Sequence, residues 1–314
     1  MKDNVCFVHV DMDGLEQVTW DCSPEDFAAR PDYVFHAGLD ALLELFEGQG
    51  VRSTLFVIGK DLRDPAKVAR LRIAIERGHE IGNHSTTHPR WFKRLSLAKK
   101  REEIETCHKL VEDRLGVSPR GFRAPGYSIS ADALPILMEL GYLYDSSVLP
   151  SFYDSLVAFV LQRGKKASAN LGLMHEPFSF EQMRRRNHVY RPSSVDIYSP
   201  GESQLWELPV TCMPFFKLPF HGSYVMHSSP LLFRTADLLL KTFSGPITYL
   251  LHLKDVGPDL EKQDLEKLMF NPMSSRRQPE RLEIMRWVLR NLKDYNFSIT
   301  NAYIEGLNQN GRRN

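Results

Sequence analysis

The feature that most constrains this chain is an alternation, carried through most of its 314 residues, of short apolar runs with amphipathic stretches that end on glycine. Residues 5–10 (VCFVHV) form a nearly continuous apolar run. A strand wetted on one face would alternate apolar with polar, so an unbroken run marks a strand buried on both faces, as in a parallel sheet. Residues 33–49 follow with helical spacing at Leu39, Leu42, Leu43 and Phe46, and Gly48 and Gly50 close them. The pattern then recurs. Strands are expected at 53–58, 79–83, 118–123, 142–145, 205–211, 247–253 and 296–302, and helices at 67–77, 96–116 and 131–140. With no internal repeat and no linker, this reads as one α/β domain over residues 1–314 with a mostly parallel sheet. Seven or eight strands suit a closed barrel better than an open sheet. Residues 150–204 break the alternation and read as an insertion after a barrel strand, where barrels elaborate their binding face.

Composition narrows the function classes. Forty Lys and Arg against 39 Asp and Glu leave a net charge of +1, without the basic excess that a nucleic-acid partner calls for. The four cysteines, Cys6, Cys22, Cys107 and Cys212, match no zinc-ribbon spacing and read as reduced thiols. The apolar run begins at residue 5, leaving no room for a signal peptide, and no apolar run approaches the ~20 residues of a spanning helix. These features give a cytoplasmic expectation. Within the insertion, residues 152–161 are apolar and are followed by Arg163, Lys165 and Lys166. That stretch is a helix packed on the barrel or one resting on a membrane surface beside a lipid-linked substrate; the packed reading is preferred.

Two clusters carry chemistry. His84-Ser85-Thr86-Thr87-His88 places two imidazoles four residues apart, which converge on one point if the segment turns helically and so suit a divalent metal. The alternative is a pair of ordinary histidines. Asp11-Met12-Asp13-Gly14 places two carboxylates at the end of the first strand, where they would repel unless a cation or proton lay between them. The alternative there is a helix cap or a turn set with Gly14. Together, one carboxylate and two histidines make three ligands with positions left open, the pattern of a catalytic metal. Zn2+ suits the set by ligand type, and Co2+, Mn2+, Ni2+ or Fe2+ accept it too.

In order along the chain, VDMDG, HSTTH preceded by GHEIGN, FRAPGYS, YDSS and LLH resemble the five motifs of the polysaccharide deacetylase (NodB homology, carbohydrate esterase) superfamily. The resemblance is close over residues 5–148 and continues through Glu207-Leu208-Pro209 to His252. It implies a distorted TIM-like (β/α) barrel of the NodB type, and a metal-dependent hydrolase that removes an N-acetyl group from an amino sugar. The substrate would be a glycan, or a lipid-linked or nucleotide-linked precursor of one. By the same resemblance Asp13, His84 and His88 would hold the metal and Asp11 would be the base. Arg123 would aim Asp11, and Asp145 would tune the catalytic histidine or brace the arginine. Gly126 would offer its N–H to the oxyanion, Tyr127 would line the pocket, and His252 would be the acid. Leu251, with Leu250, would receive the acetyl methyl. The family often has a tryptophan near the fourth motif, and this sequence has none there.

Other readings keep part of this constellation. A deformylase or small-molecule amidohydrolase keeps the site and changes the substrate. A non-haem iron oxygenase shares the two histidines and one carboxylate, but has no use for Asp11, Arg123 and His252. A glycan-binding barrel without catalysis would not need the base and the acid. The sequence leaves the sugar, the linkage and the oligomeric state open.

Overall fold

The computed structural model describes residues 4–18, 31–89, 91–151, 185–215, 217–243, 245–265 and 276–311. The apolar stretch at 152–161 and the basic residues after it lie outside them, as does Cys22. Eight strands form one sheet: β1 (Val5–Asp11), β2 (Ser53–Val57), β3 (Glu80–Asn83), β4 (Gly121–Phe122), β5 (Tyr144–Asp145), β6 (Trp206–Glu207), β7 (Ile247–His252) and β8 (Asn296–Phe297). Their order is β6-β5-β4-β3-β2-β1-β7, every neighbouring pair parallel, with β8 added on β1 at Val5 and Cys6. The sheet curls into a distorted (β/α) barrel whose ends do not share a ladder. The run after β6 spans the gap: Val210 N–H donates to the Val148 carbonyl, and Thr211 N–H donates to that of Thr248 at 3.1 Å. Thr211 Oγ1 accepts from Thr248 N–H at 2.8 Å.

The main helices are α1 (Tyr33–Gln49), α2 (Pro65–Glu76), α3 (Leu97–Leu115), α4 (Leu134–Glu139), α5 (Pro230–Phe243), α6 (Gln278–Asn291) and α7 (Thr300–Gly311). Caps set their ends. Asp32 accepts from Phe35 N–H at the start of α1, and Gly50, at φ 68°, ends it in the left-handed conformation that glycine adopts without steric cost. The outer face of the sheet (Val8, Val10, Leu55, Val57, Leu251) packs on Phe35, Leu39, Leu42 and Phe46 of α1 in the largest core cluster.

Several strands are shorter than the apolar runs predict. The segment at 296–302 keeps only two strand residues, because α7 begins at Thr300. There the helix wins by packing: Tyr303, Ile304 and Leu307 lie one helical face apart and close the bottom of the barrel against Phe7, Phe56, Tyr144 and Leu208. Two glycines make room for that filling. A Cβ on Gly82 would strike the Phe56 ring, and one on Gly121 would strike the Tyr144 ring. Above this apolar layer the same inner surface turns polar, at His9, Asp11 and Arg123, all at most 3% exposed.

Glu80 lies at the barrel's bottom, accepting from Thr54 Oγ1 at 2.8 Å and from Asn301 N–H at 3.0 Å. Burial raises its pKa from 4.5 to about 7. An acid whose pKa is raised on folding favours the folded state while it is protonated. That contribution is complete below 4.5 and fades as pH rises through about 7. Thermal unfolding measured between pH 4 and pH 8 is therefore expected to show the wild type losing stability relative to Glu80→Gln across that window. Parallel curves would show that Glu80 does not titrate there.

Candidate active site

The polar groups gather at the C-terminal ends of the strands. Asp11 and His252 are the last residues of β1 and β7, and the strand register sets them opposite one another. His84 directly follows β3, and Arg123 directly follows β4. Because side chains alternate across a strand, Phe7, His9 and Asp11 share the inner face of β1, and Leu250 and His252 share that of β7.

Asp13, His84 and His88 bring one donor atom each to a common point, all within 4.8 Å of one another. Asp13 Oδ1 is 3.5 Å from His88 Nε2 and 3.9 Å from His84 Nε2. That oxygen is buried and accepts no hydrogen bond, a costly state for a carboxylate unless a cation meets it. His84 Nδ1–H donates to the Arg123 carbonyl at 2.7 Å, which leaves the Nε2 lone pair facing the cluster. Burial keeps both imidazoles neutral, lowering His84 and taking His88 down to about 4. Donor type, orphaned oxygen and tautomer all fit a divalent metal.

The histidines converge without a helix. Ser85 and His88 adopt left-handed backbone conformations, at φ 64° and 57°, where side chains are strained. Hydrogen bonds hold the loop in place: Ser85 N–H donates to Asn83 Oδ1, His88 N–H to Ser85 Oγ, and Thr86 and Thr87 N–H to Glu103 Oε2. Strain at a ligand loop, secured by its surroundings, is a recurrent mark of a functional site.

Asp11 is not one of the three grouped donors, though its Oδ2 lies 4.0 Å from His84 Nε2. Arg123 Nη1–H donates to its Oδ1 at 2.8 Å, and His252 Nε2 lies 3.7 Å from its Oδ2. Burial alone would raise the Asp11 pKa, but Arg123, with His84 and His252, holds it well below the carboxylate range. Arg123 is fully buried and tightly held: Nε–H donates to the Ser146 carbonyl, and Nη2 donates to Ser146 Oγ and His9 Nδ1. For His252, burial lowers the pKa, yet Asp255, with Nδ1 to Oδ2 at 3.8 Å, and Asp11 raise it above 6.5 on balance. Asp255 is itself held by the His252 N–H and by Ser223 Oγ–H.

Two of the expected site residues face away from the inner surface. Asp145 makes no hydrogen bond to Arg123 or His252 among the described residues. It faces the other side of the sheet, beside the buried Glu207 that its register pairs it with, and accepts from Ser147 Oγ–H at 2.6 Å. One residue along the chain the face reverses, so Ser146 reaches Arg123, while Asp255, three residues past β7, lies beside the histidine. Leu251 also lies on the outer face, in the core under α1, while Leu250 points inward with Leu149, Val210 and Tyr127. Tyr127 therefore stands beside Leu250, as the inner wall requires. Gly126, at φ 58°, heads a tight turn whose own hydrogen bonds run from Tyr127 and Ser128, so the ladder does not use its N–H. His9, Ser146, Glu103 and Asp255 were not singled out by sequence. The polar His9 inside an apolar strand run was the available signal.

Residues 18–144 match the family model described as polysaccharide deacetylase. A peptidoglycan deacetylase of Helicobacter pylori is 26% identical over 129 residues, 40% of this chain and 42% of that one. A chitin deacetylase of Pestalotiopsis is 29% identical over 167 residues, 49% and 54% of the two chains. The chain thus spans about half or less of the curated relatives it matches. A Mycobacterium smegmatis structure assigned to the polysaccharide deacetylases superposes with a TM-score of 0.64 at 18% identity, over 99% of this chain and 92% of that one. That likeness shows the fold. No helix among the described residues is long and apolar enough to cross a membrane.

Zinc titration of the metal-stripped protein is expected to show one site that Asp13→Ala abolishes and Asp11→Asn retains. Glu103→Ala, which frees the ligand loop, is expected to weaken it on the order of 10-fold to 100-fold. Loss of zinc in Asp11→Asn would reverse the two aspartates.

Proposed function

We propose that this chain, which carries the polysaccharide deacetylase domain over residues 18–144, is a metal-dependent hydrolase that removes an N-acetyl group from an amino sugar in a glycan or glycan precursor. One observation carries the reading: a cluster fit for a metal stands beside a carboxylate that is not part of it, and the imidazole of His252 stands 3.7 Å from that carboxylate. Hydrolysis of an amide needs both a base and an acid, and an oxygenase built on the same two histidines and carboxylate needs neither.

A divalent metal at Asp13, His84 and His88, assigned as Zn2+, would polarise the acyl carbonyl and lower the pKa of its water. Asp11, ionised and aimed by Arg123, is assigned as the base that would accept a proton from the attacking water. The Gly126 N–H is assigned to the developing oxyanion. His252, whose pKa Asp255 and Asp11 raise against the effect of burial, is assigned as the acid that would give its proton to the departing nitrogen. The acetyl methyl is assigned to the inner wall at Leu250 and Tyr127. Two of the curated relatives carry the names peptidoglycan deacetylase and chitin deacetylase, which supports an acetylated glycan as substrate.

The test is acetate release from N-acetylated glycan oligomers, nucleotide sugars and lipid-linked sugars by the zinc-loaded protein, with formate followed in parallel. Acetate from one of them, lowered on the order of 100-fold to 10,000-fold in Asp11→Asn and His252→Ala with zinc content intact, is the expected result. Formate alone would favour a deformylase on a smaller substrate. Neither product from any substrate would refute the reading.

A further inference from the structure

The Arg123 guanidinium is fully buried, so each of its N–H groups needs an acceptor. Nη1 takes a carboxylate, Asp11. Nη2 takes two neutral acceptors, Ser146 Oγ at 2.7 Å and His9 Nδ1 at 2.8 Å. His9 is wholly buried in the middle of β1, two residues before Asp11 on the same inner face. Resting on the proposed hydrolysis for its kinetic consequence, we propose that His9 is a positioning residue: its Nδ1 fixes the far side of the Arg123 guanidinium, and through it the Asp11 carboxylate.

The protonation of His9 follows from its neighbours. Arginine only donates, so Nδ1 must be bare, and in a neutral ring the proton then sits on Nε2. Nε2–H points at Thr300 Oγ1, 2.9 Å away. Thr300 Oγ1 lies 3.3 Å from Thr54 Oγ1, which donates to Glu80 Oε2 at 2.8 Å. The donors thus run one way, from Arg123 through His9, Thr300 and Thr54 to Glu80, and the ring is anchored at both nitrogens. A neutral acceptor has a particular merit here. A carboxylate at position 9 would share the guanidinium charge, whereas an imidazole takes the hydrogen bond and leaves that charge to Asp11.

The test separates the two nitrogens. The amide of His9→Asn can place its oxygen near Nδ1 and keep the bond to Arg123. That of His9→Gln reaches the Nε2 position and keeps only Thr300. His9→Leu keeps neither. For each variant, kcat and KM for acetate release from a chitin oligosaccharide, zinc content, melting temperature and a crystal structure would be measured. His9→Asn is expected within tenfold of wild-type kcat, a range well short of the effect expected for the others. His9→Gln and His9→Leu are expected to lose on the order of 100-fold in kcat, with KM and zinc unchanged and Arg123 displaced from Asp11. Equal losses in Asn and Gln variants, or losses that follow melting temperature alone, would overturn the proposal. So would an Arg123 still bonded to Asp11 in the Gln variant, which stands in for His9→Leu if that chain does not fold. If the wild type releases no acetate from any glycan, the hydrolase reading fails, and the Arg123 positions still decide the role of His9.

Discussion

Arg123 and Asp11 form an ion pair in the barrel interior, with the arginine wholly buried and the aspartate 3% exposed. At 2.8 Å and an effective dielectric constant of about 20, their attraction is roughly 6 kcal/mol. Taking the two charges out of water costs several kcal/mol per ion, so the attraction alone comes close to break-even. What tips the balance is the set of additional acceptors, two on Ser146 and one on His9, that takes three more of the guanidinium's five N–H groups. The pair thus depends on the surroundings that β1, β4 and the end of β5 supply. The upper half of the barrel is arranged around this requirement.

The cluster of Asp13, His84 and His88 obeys the opposite electrostatic rule. Its imidazoles are kept neutral by burial, and its carboxylate oxygen is left without a donor. Charge is concentrated on Asp11 and withheld from His84 and His88, though His84 Nε2 lies 4.0 Å from Asp11 Oδ2. The separation comes from what each residue's other atoms touch: a guanidinium for Asp11, a backbone carbonyl for His84. Placing titratable groups in environments that push their pKa values apart is the general means by which acid and base work coexist in one cleft.

Much of this was legible in the sequence, and the exceptions share a cause. The apolar runs located all eight strands, the residue types after them marked Asp11, Asp13 and His84, and the motif resemblance added Arg123 and His252. Motif matching gives position along the chain, whereas the pleat decides the face, and a single-residue step reverses it. Asp145 and Ser146, and Leu251 and Leu250, are pairs that motif matching keeps together and the pleat sends to opposite faces. His9 went unmarked because an apolar run around a histidine reads as tolerance of one polar residue. Asp255 and Glu103 belong to segments brought to the site only by tertiary folding, three residues past β7 and within α3. The convergence of His84 and His88 was read from helical spacing, and it is reached instead by two left-handed residues that no spacing rule encodes.

Arg123 touches both halves of the site with different atoms. Its side chain holds Asp11, and its backbone carbonyl accepts the Nδ1–H of His84. The candidate ligand cluster and the candidate base therefore share one residue. On the proposed function, if occupying His84 orders Asp11 through that residue, linkage is reciprocal, and ordering Asp11 returns an equal free energy to occupancy. Becoming loaded and becoming competent would then be joined through a single residue at the end of β4.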